Sequence, residues 1–79
     1  MIKWEKTGHE VKTNGESTVT YTSKDGRYQI ESRKRAIPHA NREGSWMHTS
    51  YFLIDYNDGS EKEYYSLKSA KEAAEGKNG

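Results

Sequence analysis

The dipeptide Asp25-Gly26 lies between two segments that are rich in threonine, tyrosine and other strand-forming residues. Asp-Gly is a favoured hairpin turn because glycine adopts a positive φ without steric cost. Residues 16–23 and 27–33 on either side contain apolar and aromatic residues at a period of two. These segments are therefore predicted to pair as an antiparallel β-hairpin.

A second such dipeptide, Asp58-Gly59, follows the most apolar segment, residues 46–56, and precedes residues 61–65. It predicts a second hairpin by the same reasoning. Between the hairpins, residues 34–45 contain the proline of the chain and a Gly-Ser pair, so they are predicted to form a long loop. Near the N-terminus, residues 2–6 are predicted to form a short strand.

The segment 46–56 is apolar on both of its predicted faces, because alternation fails between Tyr51 and Ile54. A strand of this kind is covered on both faces or presents one face to a partner. We expect Phe52, Ile54 and Tyr56 to face the helix described next. Tyr51 and Leu53 would then line the opposite face.

A short helix is predicted to follow Ser66, which is a good N-cap residue. Apolar residues recur at helical spacing from Leu67 to Glu75, and Gly76 is a typical helix stop. Residues 77–79 are predicted to be a frayed tail. The expected fold class is thus α+β, with a small antiparallel sheet of three to five strands packed against one short C-terminal helix.

Length and composition indicate one domain, residues 1–76. The 79 residues have a net charge of +1 and include nine aromatic residues, which predicts a small core built mostly from rings. The chain has no cysteine, no signal-peptide pattern and no apolar run long enough to span a membrane. The cytoplasm is therefore the expected location, with no membrane partner.

Neither catalysis nor metal binding is predicted. His9, His39 and His48 lack the spacing of a metal site, and cysteine ligands are absent. No nucleophile elbow or phosphate-binding loop occurs. We therefore expect no enzymatic activity and no cofactor.

A basic region is one candidate binding surface. Residues 24–43 hold six basic and three acidic residues, including all four arginines. Arginine suits phosphate and base contacts, and neighbouring aromatic residues could stack on bases. The alternative function is therefore sheet-based binding of DNA or RNA through Arg27, Arg33, Lys34, Arg35 and Arg42.

The second apolar face of segment 46–56 is the other candidate, with Tyr51, Leu53, Met47 and Trp46 as the predicted protein-binding residues. Tyrosine, tryptophan and methionine are enriched at protein interfaces. The competing interpretation is that the N-terminal segment folds over this face through Ile2 and Trp4.

Two resemblances concern the run from Asp55 to Glu75, which covers about a quarter of the chain. It resembles the last hairpin and helix of integrase arm-type DNA-binding domains, and Lys24 to Tyr28 is similar to their first hairpin. That resemblance implies a three-stranded sheet that reads DNA. The acidic last hairpin and the loop 34–45 depart from that family.

The same run is similar to the endings of small phage-encoded proteins, many of which bind and inhibit host proteins. The compact length, the absence of cysteine and the balanced charge suit this second group, and near-neutral charge with a two-sided aromatic strand favours protein binding. Our leading hypothesis is a non-enzymatic module that binds a host protein.

Overall fold

The computed structural model describes residues 2–78 and confirms an α+β fold. Five antiparallel strands form one sheet in the order in which they occur along the chain, and one helix packs against it. The elements are β1 (Trp4–Val11), β2 (Ser17–Ser23), β3 (Tyr28–Pro38), β4 (Ser45–Asp55), β5 (Ser60–Tyr64) and α1 (Leu67–Asn78).

Both predicted Asp-Gly turns are confirmed. Gly26 has a φ of 76° and Gly59 a φ of 75°, values that favour glycine. The Asp25 carboxylate accepts hydrogen bonds from the Arg27 amide and the Ser23 hydroxyl. In the second turn, the Asp58 carboxylate accepts a hydrogen bond from the Ser60 amide at 2.8 Å.

The predicted loop over residues 34–45 is wrong. Residues 34–38 continue β3 and Ser45 begins β4, which leaves residues 39–44 as the connection. The register between β3 and β4 is unbroken as far as the pair Pro38 and Ser45. The next pair is hydrogen-bonded from the His39 amide to the Gly44 carbonyl, at 3.1 Å. Proline fits at position 38 because hydrogen-bonded pairs alternate, so no donor to β4 is needed there.

The predicted strand over residues 2–6 was also incomplete. β1 extends to Val11 and pairs with β2, with a register shift between Lys6 and Gly8. A β-carbon at Gly8 would lie 3.3 Å from the side chain of Thr20, so a larger residue there would require Thr20 to shift. A bulge of this kind adds a residue to one strand and increases its twist.

The face assignment of β4 is reversed relative to the prediction. Directly paired residues share a face, and Leu53 is paired with Ile30. Leu53 is 4% exposed and belongs to the buried cluster formed with Tyr28, Ile30, Ala70 and Ala74. Phe52 and Ile54 therefore lie on the face that the helix leaves open. Ile2 and Trp4 pack against the cluster that contains Leu53, as the competing interpretation expected, but on the face that the helix also covers.

The helix begins as predicted and ends later. The Ser66 hydroxyl accepts a hydrogen bond from the Ser69 amide at 3.1 Å, which is the expected N-cap contact. The predicted stop at Gly76 is two residues early, because α1 continues to Asn78. Of the predicted frayed tail, Lys77 lies in this last turn, and Gly79 is outside the described residues.

Lys77 anchors the end of the helix to the sheet. Its ammonium lies 2.9 Å from the carboxylate of Asp55, a side chain that is 2% exposed. The Asp55 carboxylate also accepts a hydrogen bond from the Asn57 amide in the second turn. The hydrogen bond from Lys77 lowers the pKa of Asp55 below its ordinary value of 3.8, against the opposing effect of burial. The same contact raises the pKa of Lys77.

Replacing Leu53 by alanine should destabilise the domain by roughly 2–5 kcal/mol, since it leaves a cavity in the core. That is a large share of the ~5–15 kcal/mol typical of a domain. Urea denaturation followed by circular dichroism measures the change. Val11→Ala is the matched control, because Val11 is 64% exposed, and it should shift stability by about 0.5 kcal/mol or less. An unchanged midpoint for Leu53→Ala would contradict the observed core.

The contact between Asp55 and Lys77 should make stability depend on pH. Because the pKa of Asp55 is lowered on folding, its contribution is present above 3.8 and is lost as the pH falls through the folded-state value. Urea midpoints measured from pH 6 to pH 2 should fall less steeply for Asp55→Asn than for the wild type. Glu10→Gln, which removes one negative charge from an exposed residue of β1, is the control. Equal slopes for Asp55→Asn and the wild type would exclude this linkage.

Candidate functional site

The helix covers one end of an elongated sheet. The domain measures 46 × 22 × 20 Å, and α1 contacts β3, β4 and β5 around the buried cluster. At the other end, β3 and β4 continue as a hairpin whose strands outlast β5. We call residues 34–50 the β3–β4 arm. Both faces of this arm lie beyond the helix.

The arm exposes two of the predicted protein-binding residues. Trp46 is 47% exposed and Met47 is 37% exposed. The Trp46 ring stands edge-on to the His48 ring, with centroids 5.5 Å apart, on the open face of the sheet. Met47 points to the other face, where a β-carbon at Gly15 would lie 3.8 Å from its terminal methyl group. The tip of β4 therefore presents apolar surface on both sides.

The other two predicted residues lie elsewhere. Leu53 is buried in the core and cannot contact a partner, so its assignment to a binding surface is wrong. Tyr51 is half-buried, packs against the core cluster and is paired with Tyr64. The error arose because a strand that is apolar on both faces does not itself indicate which face the helix covers.

An open backbone edge adjoins the exposed pair. The ladder between β4 and β5 ends at Tyr51 and Tyr64. Within residues 2–78, no strand pairs with the remaining edge of β4, from Ser45 to Ser50. We call this segment the open β4 edge.

A groove of about 480 Å³ lies beside the open β4 edge, between residues 48–50 and the end of β5. Tyr65, which is 88% exposed, forms part of its wall, together with Tyr64. Sequence reasoning missed this groove. Its signal is the unequal length of two paired strands, which the predicted loop over residues 34–45 conceals.

The predicted basic residues do not form one surface. Arg33 lies on the open face, where it is 3.2 Å from Glu31 and 3.1 Å from Glu61, and its guanidinium is 4.1 Å from the centre of the Phe52 ring. The hydrogen bond to Glu31 raises the pKa of Arg33. Its charge is therefore balanced by two carboxylates.

The other basic residues are dispersed. Arg35 donates hydrogen bonds to the Ser17 carbonyl and the Thr18 hydroxyl, both at 2.8 Å. Lys34 is on the opposite face from Arg33 and Arg35, because adjacent residues of a strand alternate. Arg27 lies 3.8 Å from Asp55 at the far end of the sheet, and Arg42 is in the turn of the arm.

Residues 2–78 contain no group of three histidine, aspartate or glutamate side chains placed to hold a metal ion. Over the same range, the helix is too short and too polar to span a membrane.

Comparisons with known proteins found no matching family model, no matching curated protein and no matching solved structure. The resemblances to integrase arm-type domains and to small phage-encoded proteins therefore stay predictions.

Nucleic-acid binding is expected to be absent under conditions that favour it. Micromolar protein should shift neither DNA nor RNA oligonucleotides in gel electrophoresis at low salt, because Arg33 and Arg35 are engaged by protein groups. The double variant Glu31→Gln with Glu61→Gln releases Arg33 and serves as the positive comparison. A wild-type shift that weakens steeply with salt would contradict this expectation.

Proposed function

We propose that this domain is a small module that binds another protein through the tip of its β3–β4 arm. The observation that carries the proposal is the coincidence of exposed Trp46 and Met47 with the open β4 edge. Trp46 and Met47 lie on opposite faces but flank the same edge, and exposed apolar groups concentrated at one place are characteristic of binding sites, whereas scattered ones are ordinary. Tryptophan and methionine are also among the residue types enriched at protein interfaces.

The location of these residues supports the same proposal. They lie beyond the helix, so they contribute little to the core cluster around Leu53. Tryptophan and methionine favour burial, yet Trp46 and Met47 stabilise the isolated domain little. A partner that buries them accounts for their position. The resemblance to small phage-encoded proteins suggests a host protein as that partner. No observation in the structure favours the alternative of nucleic-acid binding.

Site-specific photo-crosslinking tests the proposal. A benzoylphenylalanine at position 46 should give a discrete protein adduct in a lysate of the source cells or their host. The same group at position 56 should not, although Tyr56 is also aromatic and is 56% exposed, at the opposite end of β4. Excess unlabelled wild-type protein should compete for the adduct. Competition by Met47→Glu should be at least about tenfold weaker, because disrupting an interface hot spot costs about 2 kcal/mol or more.

Circular dichroism and urea denaturation must first show that each variant folds as the wild type does. Identical adducts from positions 46 and 56, or equal competition by Met47→Glu, would contradict binding at the arm.

A further inference from the structure

The backbone of the open β4 edge has a defined direction. The Tyr56 amide donates to the Arg27 carbonyl at 2.9 Å, and the His39 amide donates to the Gly44 carbonyl at 3.1 Å. Since the register is constant between these pairs, the even-numbered residues of β4 direct their amides and carbonyls toward β3. Met47 and Thr49 direct their amides and carbonyls the other way, toward the side of β4 on which β5 lies further along the sheet.

β5 ends at Tyr64, so the position beside β4 is unoccupied beyond that residue. If β5 continued in its register, position 66 would be opposite Thr49. Ser66 instead caps the helix, and Tyr65 leads the chain out of the sheet. The amides and carbonyls of Met47 and Thr49 thus have no strand beside them in the described part of the chain, and Thr49 lines the groove.

The outer edges of β1 and β5 are protected against pairing, whereas the open β4 edge is not. β1 carries Glu5, Lys6 and Glu10 and contains the bulge near Gly8. Three of the five residues of β5 are charged. Charges and bulges are the usual means by which sheets prevent edge-to-edge pairing. The segment Ser45–Ser50 has neither an acidic nor a basic residue other than His48.

From these observations we propose that the open β4 edge binds an extended, uncharged peptide segment of a partner protein by strand addition. This inference rests on the proposed function and specifies its mode of recognition. The peptide would lie beside β4 where β5 has ended, and it would exchange backbone hydrogen bonds with Met47 and Thr49. Strand addition obtains affinity from the main chain and specificity from side chains at alternate positions.

Charge determines the chemistry of the peptide. The lining of the groove holds one charged residue of each sign, Lys62 and Glu63, so it favours neither an acidic nor a basic side chain, and a charged side chain there would lose water. Apolar side chains at alternate positions would instead contact Trp46 and His48 on one face and Met47 on the other. We therefore expect an alternation of β-branched residues without lysine, arginine, aspartate or glutamate.

A second copy of the chain fits this edge less well. Residues 45–50 span roughly 20 Å at ~3.4 Å per residue, so pairing two such edges buries far less than the ~1,200 Å² of a stable interface. In an antiparallel pair, the turn of the second arm would also approach Tyr64 and Tyr65. An isolated peptide strand has no second turn to clash there, and a peptide complex does not need the interface area of a stable dimer.

Amide exchange measured by NMR tests the proposal directly. The probe is a capped six-residue peptide of alternating threonine and valine. In the free protein, the amides of Met47 and Thr49 should exchange rapidly, whereas those of Trp46 and His48 should be protected by β3. Saturation with the probe should slow exchange at Met47 and Thr49 at least about tenfold, since both amides become hydrogen-bonded.

Two modified probes test the chemistry. The same peptide methylated on every backbone nitrogen, and a version with lysine in place of valine, should each bind at least about tenfold more weakly in chemical-shift titrations. In the protein, Thr49→Pro removes one edge amide without disturbing the ladder to β3 and should also weaken binding of the unmodified probe. Thr49→Val, which keeps that amide, should bind it as the wild type does.

The outcomes separate this inference from the proposed function. Failure of the unmodified probe to bind, or binding that leaves Met47 and Thr49 exchanging rapidly, would overturn strand addition. Protection of these amides in the free protein together with a concentration-dependent dimer would assign the edge to a second copy, and would also overturn it. If adducts still form specifically at position 46 in either case, the arm binds a protein by another mode.

Discussion

The packing of the helix against one end of the sheet is the contact on which the other features depend. Ala70 and Ala74 are fully buried against Tyr28, Ile30 and Leu53. Their small side chains let the helix lie close to the sheet, while the aromatic ring and the two aliphatic side chains supply most of the buried apolar area. A 12-residue helix is marginal alone in water, so it forms together with this contact.

The same packing produces the open β4 edge. To bring Ala70 over the cluster, the chain must leave the sheet soon after Tyr64, and β5 is therefore limited to five residues. β4 has 11 residues because its other neighbour, β3, is equally long. The unpaired segment is the part of β4 that extends past the end of the shorter β5. Core packing and the candidate binding site are thus linked through the point at which the chain turns into the helix.

Local features of this fold could be predicted from the sequence, and non-local ones could not. The turns at Gly26 and Gly59 and the cap at Ser66 depend on a few adjacent residues, and all three were predicted. The face of Leu53 depends on its neighbour Ile30, 23 positions earlier, and was predicted wrongly. Pro38 was interpreted as a strand breaker, although the cost of its missing donor depends on which β3 amides face β4. Two candidate site residues, Trp46 and Met47, could be predicted from the sequence. The groove could not, because it depends on how three strands are paired.

The open face of the sheet shows why an edge, rather than a face, is the better candidate for binding. Phe52 lies on that face and is apolar, but Arg33 covers its ring and is held there by Glu31 and Glu61. Side chains of the domain can satisfy one another in this way across neighbouring strands. A side chain can also reach an edge amide, as Glu16 reaches that of Ala36 on β3, but within residues 2–78 no side chain bonds the amides of Met47 and Thr49. When water is excluded from this edge, the backbone of another segment can satisfy its amides and carbonyls. This is the chemical basis for a peptide partner.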